Sequence, residues 1–127
     1  MLAPPNRGSE VVDQLKRVAI GRWILGPSGC ELGSGPDGLP SRLGEANFNL
    51  GVIAGDCSLN PFFSAILRGP DDGKVSVESA RITGMTDFLV VHHSHTWMAW
   101  RSKTISRILN YLQCGQFVRN DVALPNA

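Results

Sequence analysis

The sequence has no excess of charge of either sign, no long apolar run, no paired-cysteine motif and few aromatic side chains. Twelve Lys and Arg stand against 11 Asp and Glu, a formal net charge of +1. A chain this close to neutral lacks the basic face that displaces counterions from a phosphate backbone, which excludes an electrostatic nucleic-acid binder. No apolar run reaches the ~18 residues of a membrane span. The opening MLAPPNRGSE has neither the basic start nor the apolar centre of a signal peptide. Cys30, Cys57 and Cys114 are odd in number and widely separated, so neither a disulfide framework nor a structural zinc site is expected. Free thiols suit a reducing compartment and favour the cytoplasm. What the sequence does have is 127 residues, 43% of them hydrophobic, enough for one domain with a single modest core. It also has 14 Gly, 8 Pro and only three histidines, all clustered at His92, His93 and His95.

Along the chain, Val11, Val12, Leu15, Val18 and Ala19 fall at helical spacing, with Asp13, Gln14, Lys16 and Arg17 on the other face. Ser9 is placed to cap this helix, and Glu10 puts a negative charge in its first turn. Pro4 and Pro5 force an extended or turning chain before it. Met1–Ala3 leave room for only the last part of a strand, so the start reads as an interior point of a fold. Residues 26–44, dense in Gly, Pro and Ser, read as a long loop with several tight turns. Phe48–Ala54 is a short apolar run, suited to a buried strand of a parallel sheet. An irregular segment around Asn60-Pro61 follows, with Phe62, Phe63, Ile66 and Leu67 as its buried side. Pro70-Asp71-Asp72-Gly73 is a turn, Val75 and Val77 begin another element, and Phe88–Val91 is a second short apolar strand. A last helix is expected from about Ser102 to Gln113. Ile105, Ile108, Leu109 and Leu112 form its apolar face, Lys103, Arg107 and Asn110 face water, and Gly115 stops it. Helix, loop, strand, loop, strand and helix in that order give an α/β fold with parallel strands.

Two places carry chemistry. Asp71-Asp72-Gly73 follows one strand and His92-His93-Ser94-His95 follows the next. In an open parallel sheet the loops beyond the strand C-termini build the ligand crevice, so an aspartate and a histidine from adjacent loops meet at one edge. A buried carboxylate that holds one imidazole N–H fixes the tautomer and stabilises the imidazolium, which is general-base chemistry. Asp72 before Gly73 also fits an ordinary Asx turn, Asp71 a solvated turn residue, and Asp56 an alternative acid at a strand end. Metal binding by the three histidines is disfavoured, because neighbours in an extended segment point to opposite sides and no carboxylate or thiolate stands at ligand spacing. Trp97 and Trp100, and Met85 and Met98, read as packing residues.

The strings PPNRGSEVVDQL, SGCELGSGPDGLP, LGVIAG, SLNPFF, GPDDGKVSVESARITGM and SHTWM, followed by a final helix, occur in that order. From about Met1 to Phe117 this series resembles the C-terminal half of α/β-hydrolase-fold esterases and lipases, and more narrowly a bacterial group of small lipase-like hydrolases. The resemblance implies the C-terminal portion of an α/β-hydrolase fold over residues 1–119, with an incomplete sheet; the polar residues 120–127 read as a flexible tail. The resemblance also implies Asp72 as the catalytic acid, His95 as the base, no cofactor or metal, and a small ester or lipid-like substrate. Ser76 and Ser79 would be structural. Such enzymes place the nucleophilic serine on a G-x-S-x-G turn, which is absent. Gly26-Pro27-Ser28-Gly29-Cys30 ends in cysteine, and Ser28 reads as a turn residue. The expected protein is therefore an acid-and-base half whose nucleophile and oxyanion-hole donors come from a missing N-terminal half. The alternative is a non-catalytic α/β module that binds a partner or forms a homo-oligomer through its open sheet edge.

Overall fold

The computed structural model describes residues 1–36, 38–42, 44–59, 61–67 and 69–119; Asn60, the Phe63 side chain and the expected tail at 120–127 lie outside what it describes. The architecture is a small α/β domain around two parallel strands, β1 (Gly51–Gly55) and β2 (Asp87–Val91), in register from Gly51 opposite Asp87 to Gly55 opposite Val91. β1 is buried along its whole length, as an apolar run covered on both faces must be. Ile53 points to one side, where Ala3, Leu89, Val91, Met98 and Phe117 pack with it. Val52 and Ala54 point to the other, against Leu50, Val75 and Ala80. The three residues before Pro4 form an isolated bridge rather than a strand. Leu2 pairs in parallel with Ile53, through Ala3 N–H to Ile53 O at 2.7 Å and Ile53 N–H to Met1 O at 3.0 Å.

Six helices surround these strands among the described residues: α1 (Glu10–Leu15), α2 (Ala19–Cys30), α3 (Leu39–Arg42), α4 (Pro61–Ser64), α5 (His95–Met98) and α6 (Ser102–Cys114). Ser9 caps α1 as expected, its Oγ accepting from Val12 N–H. The single helix expected to run to Ala19 is instead broken, with Val18 extended between α1 and α2. The apolar stripe runs off the buried surface there: Val18, Ile20 and Trp23 are all exposed, and helical packing loses the burial that sustains it. Gly26 does interrupt the chain, at φ +64, but Pro27 then starts a further helical turn, since its fixed φ suits a first helical position. Residues 26–44 are thus less irregular than their composition suggests, and α3 lies among them.

The C-terminal helix ends as expected, with Gly115 left-handed at φ +74 and its N–H on Tyr111 O at 2.8 Å. Its buried face matches the expected one only at Ile108. Thr104 is fully buried and Ile108 and Tyr111 pack on the core, whereas Ile105, Leu109 and Leu112 are exposed. Gly51 explains the close approach of this helix to β1, because a Cβ there would lie 2.5 Å from the Tyr111 ring and 2.8 Å from Phe117. Val75 and Val77 enter no strand; only an antiparallel bridge from Asp71 to Ser76 forms in that region. No described helix is long and apolar enough to cross a membrane.

Candidate active site

The two strands deliver their following loops to one edge. After β1 the chain passes through α4 and returns at Asp71-Asp72-Gly73; after β2 it turns through His92–Ser94 into α5, whose first residue is His95. Asp72 and His95 meet twice. The His95 backbone N–H donates to Asp72 O at 2.9 Å, and His95 Nδ1 lies 2.8 Å from Asp72 Oδ2. The Asp72 side chain is 0% exposed and that of His95 31%. A carboxylate oxygen accepts, so Nδ1 carries the ring proton in this contact and Nε2, across the ring, is the basic nitrogen.

Asp72 holds that geometry because its other oxygen is already committed. Oδ1 accepts from Lys74 N–H at 3.0 Å and Val75 N–H at 2.9 Å. The Asx turn is therefore realised on one oxygen, while the other meets the His95 ring. Asp71, expected as a solvated turn residue, is buried instead. Its Oδ1 accepts from Gly73 N–H at 2.7 Å and from Ser64 Oγ–H at 2.9 Å, which fastens α4 to the acid turn. Burial requires such partners for a carboxylate, and two are present. Gly55 was not singled out by the sequence, yet a Cβ on it would sit 2.8 Å from Asp72 Cβ, 2.7 Å from Met98 Cε and 2.3 Å from His93 O. The glycine that closes the apolar run was the available signal, since a strand-end glycine marks close backbone approach.

Asp56, the alternative acid, pairs with a different histidine. His92 Nδ1 lies 2.9 Å from Asp56 Oδ1 in a contact where His92 is 81% exposed. His93 follows a bend at His92, with its backbone N–H on Val91 O at 2.9 Å. Burial, and then the positive charges of Arg101, His92, Arg107 and Lys103, hold its pKa below the ordinary histidine value. Among the described residues, no three His, Cys, Asp or Glu side chains converge as metal ligands. Of the candidate serines, Ser76 and Ser79 bond each other through their hydroxyls at 2.9 Å, and Ser28 sits in the helical turn after Gly26. Trp97 and Trp100 are exposed rather than packed, while Met98 is buried.

At the far end of β2, burial would raise the Asp87 pKa. Hydrogen bonds from Phe117 N–H, Arg119 and Phe88 N–H outweigh it and hold that carboxyl below its ordinary value. Comparison with known proteins returns no match: no family model, no curated protein and no solved structure is similar to this chain.

Proposed function

We propose that Asp72 and His95 are the acid and base of a serine-type ester hydrolase, built on the C-terminal portion of an α/β-hydrolase fold and working in the cytoplasm. The observation that carries this reading is the Nδ1–Oδ2 contact of 2.8 Å to a carboxylate with no solvent exposure. In that arrangement Asp72 orients the imidazole and stabilises the positive charge that appears when His95 Nε2 accepts a proton from an attacking hydroxyl. As the tetrahedral intermediate collapses, the same nitrogen gives that proton to the leaving alcohol, and it then activates the water that hydrolyses the acyl-enzyme and restores the hydroxyl. The hydroxyl and the oxyanion donors come from a segment other than residues 1–119, because no G-x-S-x-G turn is present. The substrate is a small ester or lipid-like acyl compound. Weak hydrolysis of an activated p-nitrophenyl ester through the His95 imidazole alone, abolished in His95→Ala, is the result expected of the isolated chain. Turnover no faster than buffer, together with a concentration-dependent oligomer, would reject the reading for the isolated chain.

A second reading is a non-catalytic module that associates through its surface. It is favoured by the exposed stripe Ile105, Leu109 and Leu112 on one flank of α6. Sedimentation at rising protein concentration separates the two: a monomer with esterase activity leaves only the first.

A further inference from the structure

On another part of the molecule lies a pocket of about 350 Å³ that neither Asp72 nor His95 lines. Its polar walls are Arg7, Arg81, Ser34, Ser41, Thr83 and Glu45. Three segments distant in sequence converge there, and each is fixed by its own contacts. The loop bearing Arg7 is stitched to the turn before β2, by Arg7 N–H to Ser79 O at 3.0 Å and Asn6 Nδ2 to Ala80 O at 2.9 Å. Gly8, at φ +87, lets that loop press on Ser34, since a Cβ would lie 2.4 Å from Ser34 Cα. Ser34 in turn is held by Asp13, whose two carboxylate oxygens accept from its N–H at 3.1 and 3.2 Å. The pocket is therefore pre-formed, and its volume is that of a small-molecule site.

The two guanidiniums are also pre-positioned. Both bind one carboxylate, Glu78: Arg7 on Oε1, and Arg81 Nε on Oε2 at 3.5 Å. Arg81 lies over the Phe88 ring at 3.9 Å from its centroid, which sets the plane of its fork. With Glu45 also lining the pocket, the two guanidiniums and the carboxylates of Glu78 and Glu45 balance in formal charge, so the hold on an anion is that of the guanidinium N–H donors, whose fork is matched to a planar or tetrahedral oxyanion. Glu45 in the lining repels a second negative group, and with the hydroxyl oxygens of Ser34, Ser41 and Thr83 it suits hydroxyl donors on the ligand.

We infer that this pocket binds a small polyol carrying a single oxyanion, a phosphate or a carboxylate, with Arg7 and Arg81 on the anion. Calorimetric titration of the full chain with glycerol phosphate, glycerate and glycerol tests it. One saturable site for at least one of the two anions is expected, with glycerol silent; whichever anion binds more tightly identifies the group. Arg81→Gln should weaken binding about tenfold, the loss of one charge-assisted contact. Arg7→Gln, at a more exposed guanidinium, should do so without altering the circular dichroism spectrum, which keeps the test open if Arg81→Gln disturbs the fold. Absence of saturable heat from both anions at ~10 mM, a range in which even a millimolar site fills, overturns the inference. So does equal binding of glycerol, or affinity retained in both variants.

Discussion

Two histidine–aspartate pairs sit at the ends of the same two strands, with nearly the same contact length and opposite surroundings. His95 and Asp72 are 2.8 Å apart, His92 and Asp56 2.9 Å. Asp72 is wholly buried, has one oxygen held by two backbone N–H groups, and carries its histidine on the other. Asp56 keeps about a third of its side chain in water and meets a histidine that is almost free of the protein. Distance alone would rank them equal. Burial and the prior commitment of the second oxygen separate them, because a desolvated carboxylate cannot exchange its partner for water. An exposed pair gains little and loses side-chain freedom.

The contrast is broken or sharpened by four measurements. Asp72→Ala should have the largest effect. It strands the N–H groups of Lys74 and Val75 and frees the His95 ring, for a loss of about 2–4 kcal/mol in urea unfolding. Next comes Gly55→Ala, which forces a methyl group against Asp72, Met98 and the His93 carbonyl. Overpacking of this kind costs about 1–3 kcal/mol, and the His95 ring-proton resonance should move although neither partner has changed. A proton spectrum identical to the parent would show that Gly55 does not position the pair.

His93 gives a pH-dependent term. Its folded pKa is lowered by burial and by neighbouring cations, so between that value and the ordinary histidine value the unfolded chain holds more protons. Stability should therefore be full above the ordinary histidine pKa and fall as the pH drops toward the folded one. Urea midpoints across that window should lose part of their slope in His93→Gln; an unchanged slope would assign the pH dependence to other groups. Asp56→Ala is the smallest, at less than about 0.5 kcal/mol, as for other exposed pairs. Equal losses from Asp56→Ala and Asp72→Ala would erase the distinction.

The alternation of apolar runs with turn-rich segments made the parallel α/β arrangement legible, and strand-end logic placed Asp72 and His95 on neighbouring loops. The burial of Asp71 was not legible. Two adjacent aspartates before a glycine look alike in sequence, and only the return of α4, with Ser64, gives the first one a partner. Helical periodicity also located α6 and its glycine stop, but of the face it chose only Ile108 reaches the core. Amphipathicity names a stripe; which side of it finds a surface depends on where the strand glycines permit approach, and Gly51 admits Tyr111. The break between α1 and α2 escaped for a related reason, since Val18 and Ile20 continue the pattern past the point where anything covers them.

Asp87 opens β2, and its Oδ2 accepts the backbone N–H of Phe117 at 2.7 Å, just after α6 has ended. The stretch from β2 through α5 and α6 is thereby clasped at its two ends. A single proteolytic cut within the exposed turn around Trp100 would leave both pieces docked, so the nicked protein should migrate as one species under native conditions.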